Sequence, residues 1–130
     1  MSESIKQVSK SIKQVIVIRK DLKMRRGKEI AQGAHASCAF LTKRIQNNLP
    51  FSAVQRKWIE GSFRKITLQV DSEFELLDLY KKAKELGLES HLIQDSGLTE
   101  FHGVLTFTCL ALGPDFDTNI DVLTANLKLY

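Results

Sequence analysis

The residues best suited to chemistry begin with Lys20–Lys28, KDLKMRRGK. This stretch sets Lys20, Lys23, Arg25, Arg26 and Lys28 against one acid, Asp21. Its excess of +4 equals the formal net charge of the whole chain, so the remainder sums to zero. The cluster follows a short apolar run and opens a helix. Such a junction suits phosphate, because first-turn N–H groups and the helix dipole favour anions and the side chains add full charges. A solvated surface loop has the same composition, so charge alone leaves both readings open. On the helix, Lys28, Gln32 and His35 stand at i, i+4 and i+7, one polar side at about 100° per residue. Ile30, Ala34, Cys38, Leu41 and Ile45 form an apolar stripe on the other side, expected to face the core. Farther on, Asp95 leaves a strand end into Ser96-Gly97. A carboxylate there either caps the turn or positions and deprotonates a water.

The elements that must position these groups can be read in order. Met1–Ser11 is polar and is expected to be a flexible tail, set as residues 1–12, before a domain over residues 13–130. Ser4–Val8 and Ser11–Val15 both read SIKQV, a single repeat from which no function follows. Gln14–Arg19 is β-branched and predicts a buried strand. A long helix runs to about Asn47, and a second, about Phe51–Glu60, ends at Gly61 and carries Trp58 as a core anchor. Lys65–Val70 alternates as a strand. Asp71 or Ser72 caps a helix over about Glu73–Leu86, closed by Gly87. Ser90–Gln94 and Val104–Leu112 are further strands. Gly113-Pro114 is expected to break the last one before a short helix over Asp115–Leu123. The order β-α-α-β-α-β-β-α predicts an α/β fold with a largely parallel sheet and helices on both faces. Ligands of such sheets usually sit at the carboxyl ends of strands. Lys20–Lys28 and Asp95–Thr99 both follow such ends.

Composition excludes several classes. The length suits one domain that can bury roughly two-thirds of its unfolded surface without disulfides. The two cysteines, Cys38 and Cys109, lie in apolar runs and read as reduced core thiols of a cytosolic protein. No apolar run approaches the ~20 residues that span a bilayer, and Met1–Lys13 lacks the apolar core of a signal peptide. His35, His91 and His102 show no metal-ligand spacing, so no metal is expected. There is no G-x-S-x-G elbow and no phosphate loop of the Walker type.

Three ordered motifs carry a resemblance. VIVIRKDLKMRRGKEIAQGAHA (Val15–Ala36) resembles the opening signature of the archaeal and eukaryotic-type (class 2) peptidyl-tRNA hydrolases. IQDSGLTE (Ile93–Glu100) resembles that family's I-x-D-A-G-x-T segment. ALGP (Ala111–Pro114) and NLKLY (Asn126–Tyr130) resemble its G-x-G-P and terminal L-K-L. The resemblance spans about Lys13 to Tyr130. It implies a single-domain three-layer α/β/α sandwich with a four-stranded mixed, mostly parallel sheet. It also implies cofactor-independent hydrolysis of the ester between peptide and tRNA, a homodimer, and a cytoplasmic enzyme without a membrane partner.

Carried over by motif position, the catalytic residues are Arg26, Asp95 and Thr99. The substrate-binding residues are Lys20, Lys23, Arg25, Lys28, Gln32, His35 and Thr106. The chain departs from the pattern in places. Arg26 stands where the family has lysine; it keeps the charge but cannot readily act as a base, because a guanidinium does not give up its proton in proteins. Gly103-Val104-Leu105-Thr106 replaces Gly-Thr-x-Thr, so one hydroxyl is lost. The Glu100-Phe101-His102 turn is shorter and lacks the usual proline. The alternative these departures suggest is a catalytically weakened RNA- or protein-binding module on the same fold.

Overall fold

The computed structural model describes residues 11–97 and 101–130. The strands are β1 (Ile12–Arg19), β2 (Lys65–Val70), β3 (Ser90–Asp95) and β4 (Thr106–Phe116). The helices are α1 (Arg26–Gln46), α2 (Ala53–Glu60), α3 (Glu73–Glu85) and α4 (Asp117–Thr124), with a 3-10 turn at Lys20–Leu22. The sheet order is β2-β1-β4-β3. β1 and β2 pair in parallel, whereas β4 is antiparallel to both β1 and β3. Three strands therefore share a direction, as the β-α-β order predicts. The reversed β4 lies between β1 and β3, so one of the sheet's strand pairs is parallel and the others are not.

Each face carries its own core. Val15, Val17, Leu68, Leu110 and Leu112 meet Leu76, Leu79 and Ala83 of α3 and Ile120 of α4. On the other face Ile16, Ile18, Cys109 and Ala111 meet Ala36 of α1, with Met24 and Ile93 at the margin. Trp58 of α2 is 1% exposed, stacks edge-on against Phe40 of α1 and donates its indole N–H to the Arg64 carbonyl. It is the core anchor that its type predicts. Ser52 and Gln55 close a capping box on α2, and Ser72 caps α3.

The expected facing of α1 is overturned. Its buried residues are Gln32, Ala36, Ser37 and Phe40. The apolar stripe points outward instead, with Ile30 66% and Ile45 67% exposed and Ala34 and Cys38 exposed between them. The reason is polar matching. Gln14 of β1 is fully buried, donates to the Ser37 carbonyl at 3.0 Å and accepts from the Ser37 hydroxyl at 2.6 Å. Thr108 of β4, also fully buried, donates to Gln32 Oε1 at 2.5 Å. Turning the apolar stripe inward would bury Gln14 and Thr108 without partners, at about 1–3 kcal/mol each.

Two bulges in β4 also depart from the sequence reading. Gly113-Pro114 does not end the strand. Lys13 pairs with Asp115 and Val15 with Leu112, so the dipeptide sits in a bulge, a place where a central strand tolerates proline. Gly113 has φ +87, and a Cβ there would lie 2.8 Å from the Asp115 nitrogen. The second shift falls where Ile93 pairs with Cys109 but Gln94 with Phe107, leaving Thr108 as the extra residue.

Cys38 is exposed and Cys109 is buried, which corrects the reading of both as core thiols. Burial pushes the Cys109 thiol up to about 11. An aromatic disulfide reagent at pH 8 is expected to titrate Cys38 in the native protein and Cys109 only after denaturation. Two fast thiols, or none, would contradict this packing.

Candidate active site

Arg19 ends β1 and turns back on the loop that follows. Its Nε and Nη2 donate to the two oxygens of Asp21 at 3.1 and 2.6 Å, and Nη1 donates to the Phe107 carbonyl at 3.1 Å. This clamp ties the start of the basic loop to β4 beside the bulge. Neither Arg19 nor Asp21 was assigned a task from the sequence. An arginine two residues before an aspartate at a strand end is the local signal that marks such a clamp.

From that anchor the basic residues fan out. Lys20 and Lys23 are exposed and border a cleft of about 410 Å³ with Asp71 and Tyr130. Arg25 is exposed and occupies the N-cap of α1, where no side chain caps the helix. Arg26 is exposed and lines a groove of about 340 Å³ with Glu29, Ile30 and Tyr130. Lys28, some 200° around the helix from Arg26 at about 100° per residue, reaches the end of β3. Its Nζ donates to Asp95 Oδ1 at 2.6 Å and lies 6.0 Å from the centroid of the Phe101 ring. The structure thus pairs Asp95 with Lys28 rather than with Arg26.

Asp95 is held on both oxygens. Lys28 takes Oδ1, and the Gly97 N–H donates to Oδ2 at 2.7 Å. The Lys28 hydrogen bond is the main cause holding this carboxyl below its usual range; desolvation opposes it, and the Gly97 bond and the Lys28 charge add to it. The side chains of Lys28 and Asp95 are 15% and 11% exposed, so the pair is sheltered but open at one side. Position 97 admits no side chain: φ is +84, and a Cβ would lie 2.2 Å from the Val104 carbonyl oxygen. Asp95 therefore caps its Asx-type turn and remains ionised at the strand end. Of the two readings the sequence leaves open, the turn cap is the one seen directly.

Thr106 stands directly across from Asp95 in the β3–β4 register, and its hydroxyl donates to the Val104 carbonyl at 2.8 Å. Gln32 is buried, with its carbonyl oxygen engaged by Thr108 and its backbone carbonyl receiving the Cys109 thiol at 3.4 Å. It sits in the α1–sheet interface. His35 is exposed and opens onto a separate cleft of about 750 Å³ along β3. Thr99 lies outside the described residues. The structure therefore brings Lys28, Asp95, Gly97 and Thr106 together. It places Gln32 beneath them, His35 to one side, and Lys20, Lys23 and Arg26 around the mouth of α1. No cluster of potential metal ligands occurs among the described residues.

A sheltered carboxylate at a strand's carboxyl end, fixed by a lysine, is suited to holding a water. The family described as Peptidyl-tRNA hydrolase PTH2 matches residues 12–130. The chain belongs to that family. A peptidyl-tRNA hydrolase of Methanothermobacter thermautotrophicus is 42% identical over 119 residues, covering 91% of this chain and 99% of its own. One from Nanoarchaeum equitans is 44% identical over 119 residues, covering 92% and 99%. A probable peptidyl-tRNA hydrolase 2 of Dictyostelium discoideum is 45% identical over 118 residues; the match covers 91% of this chain but 54% of that longer protein. A solved protein of unknown function from Agrobacterium tumefaciens shares the fold, with a TM-score of 0.59 at 11% identity over 92% of this chain and 97% of that one.

The Asp95 carboxyl is depressed on folding, so its contribution to stability is complete above the unfolded pKa of about 3.9. That contribution is lost as pH falls through the lower folded value. Lys28→Met removes the leading cause of the depression. A carbon-detected NMR titration is expected to show the Asp95 midpoint moving upward in that variant. An unmoved midpoint would mean that Lys28 does not set the charge state of Asp95.

Proposed function

We propose that this PTH2-family chain hydrolyses the ester joining the peptide to the 3′-terminal ribose of tRNA, with Asp95 as the group that positions and activates the water. The observation that carries this reading is the ionised Asp95, fixed at 2.6 Å by Lys28 and at 2.7 Å by Gly97. Both contacts leave lone pairs on the carboxylate for a water, and a general base must stand within hydrogen-bond reach of the proton it takes. The water attacks the ester carbonyl, its proton passes to Asp95, and the carbonyl oxygen becomes an oxyanion. The Lys28 ammonium is the nearest fixed cation to stabilise that charge. Collapse breaks the bond to the ribose oxygen, which takes the proton back from Asp95. The peptide leaves as a carboxylic acid, which gives its remaining proton to solvent, and the tRNA leaves with a free hydroxyl. Thr106, opposite Asp95, is proposed to orient the ester. Thr99 is proposed as a further hydroxyl on the motif alone.

Lys20, Lys23, Arg25 and Arg26 are proposed to hold tRNA phosphates. Their exposure around the start of the first helix, where no side chain caps it, supports this, since the helix dipole and the full charges there both favour an anion. Arg26 then acts as a fixed cation near the substrate, a role in which arginine substitutes for lysine without loss of charge. Gln32 is proposed to position α1, and through it Lys28, by its bond to Thr108. His35 is proposed to face the peptide side of the substrate. The outward stripe of Ile30, Ala34, Cys38, Leu41 and Ile45 supports a homodimer through α1, because an apolar strip of this length is unusual on a monomer. The substrate, peptidyl-tRNA, supports a cytoplasmic location, and no helix among the described residues is long and apolar enough to cross a membrane.

Asp95→Asn is expected to lower turnover of N-acetyl-aminoacyl-tRNA by at least 100-fold, the usual scale for losing a general base, while tRNA binding in a filter assay stays within a few-fold. Full turnover in this variant would remove Asp95 from the chemistry. The Lys20→Ala, Lys23→Ala, Arg25→Ala triple variant is expected to flatten the salt dependence of tRNA binding. The log–log slope should fall by about 0.7–0.9 for each phosphate that the variant no longer neutralises. An unchanged slope would place the tRNA elsewhere.

A further inference from the structure

The sheet has two edges, and they are treated differently. The edge of β2 is covered: Leu129 bridges Leu68, the Gln69 N–H donates to the Lys128 carbonyl and the Tyr130 N–H to the Thr67 carbonyl. β3 forms the opposite edge, and among the described residues its outer side pairs with no strand. Exposed edges invite chain pairing and are normally blocked. Here the bare edge forms the floor of the cleft of about 750 Å³, between His35 and Lys43 of α1 and Tyr80 and Lys84 of α3. The walls end in the polar tips of His35, Lys43, Tyr80 and Lys84.

The direction of β3 matters. It begins at Ser90, beside the cleft, and ends at Asp95. A six-residue strand is about 20 Å long at about 3.3 Å per residue. A chain added parallel to β3 would deliver its carboxyl end to Asp95. A chain added antiparallel would deliver it to the Glu89 end, about 20 Å away.

The geometry points to the bare edge of β3 as the binding site for the peptide part of peptidyl-tRNA, taken up as a fifth, parallel strand whose last carbonyl is the ester presented to Asp95. This rests on the reading of Asp95 as the reacting end. The main-chain groups of β3 hold the main chain of the substrate, so strand addition itself reads no peptide sequence. Glu89 does not repel the substrate, because its carboxylate is already engaged by His91 and by Arg44. In a parallel pair only alternate residues of the added strand bond to the edge. The contribution of substrate amides must therefore alternate along the peptide.

The test uses the intact protein and N-acetyl-tetra-alanyl-tRNA, with N-methyl-alanine placed at each position in turn. N-methylation is expected to lower kcat/KM about 3- to 10-fold at alternate positions, the scale of one missing hydrogen bond, and to change it less than 2-fold at the others. A non-cleavable amide-linked tetra-alanyl adenosine is expected to slow hydrogen exchange of the Ser90–Gln94 amides. A flat series with the parent substrate still cleaved would overturn the strand-addition site and leave the hydrolase reading standing. No cleavage of the parent would overturn both. Protection of the same amides by raising protein concentration alone would assign the edge to a second copy and overturn the proposal.

Discussion

The polar seam between α1 and the sheet sets the rest of the molecule. Gln32 to Thr108 and Ser37 to Gln14 are side-chain pairs buried in a layer that would ordinarily be apolar. Each is worth about 1 kcal/mol when made but costs more when one half is left alone. That asymmetry fixes the rotation of α1 about its own axis. With Gln32 held over Thr108, Lys28 lies one turn earlier on the same side of the helix and comes down on Asp95. A rotation of about 100°, one residue's worth, would carry Lys28 off the strand end and break both seams at once. The Lys28–Asp95 ion pair is thus a consequence of how the helix is seated.

The bulge at Thr108 performs the matching task on the sheet. Side chains alternate along a strand, so the position of Thr106 depends on whether a residue is inserted between it and Cys109. Phe107 packs with the α3 face and Cys109 with the α1 face. The extra residue lets Thr108 join Cys109 beneath Gln32 and returns Thr106 to the side of α1, opposite Asp95. Without it, Thr106 would face α3. Arg19 then bonds the Phe107 carbonyl, so the basic loop is tied to the strand where its register changes.

Much of this architecture was legible in the sequence because local signals agreed. Lys65–Val70 alternates and is β2, Ser72 caps α3, Gly87 follows it with φ +71, and Trp58 is buried. Two things were not legible, for one shared reason. Periodicity assigns the inward face of a helix to its apolar residues, but α1 docks through glutamine and serine, and the matching groups lie on strands far away in sequence. Likewise Gly113-Pro114 reads as a terminator locally, whereas the pairing of Lys13 with Asp115 carries β4 through it to Phe116. Long-range polar complementarity has no period. For the same reason the sequence groups Arg26 with Asp95 and leaves Lys28 to the substrate, whereas the structure pairs Asp95 with Lys28.

That choice matters for the chemistry. Arg26 and Lys28 are two residues apart, so a helix sends them to different sides, and a cluster that is one patch in sequence becomes several sites in space. Lysine at position 28 gives Asp95 a compact ammonium that can contact one oxygen and leave the other to Gly97. An arginine fork there would tend to take both oxygens and compete with the turn. Arginine at position 26, on the open side, instead presents a planar group suited to phosphate. Arg26 is therefore a surface cation that takes no part in the sheltered Lys28–Asp95 pair.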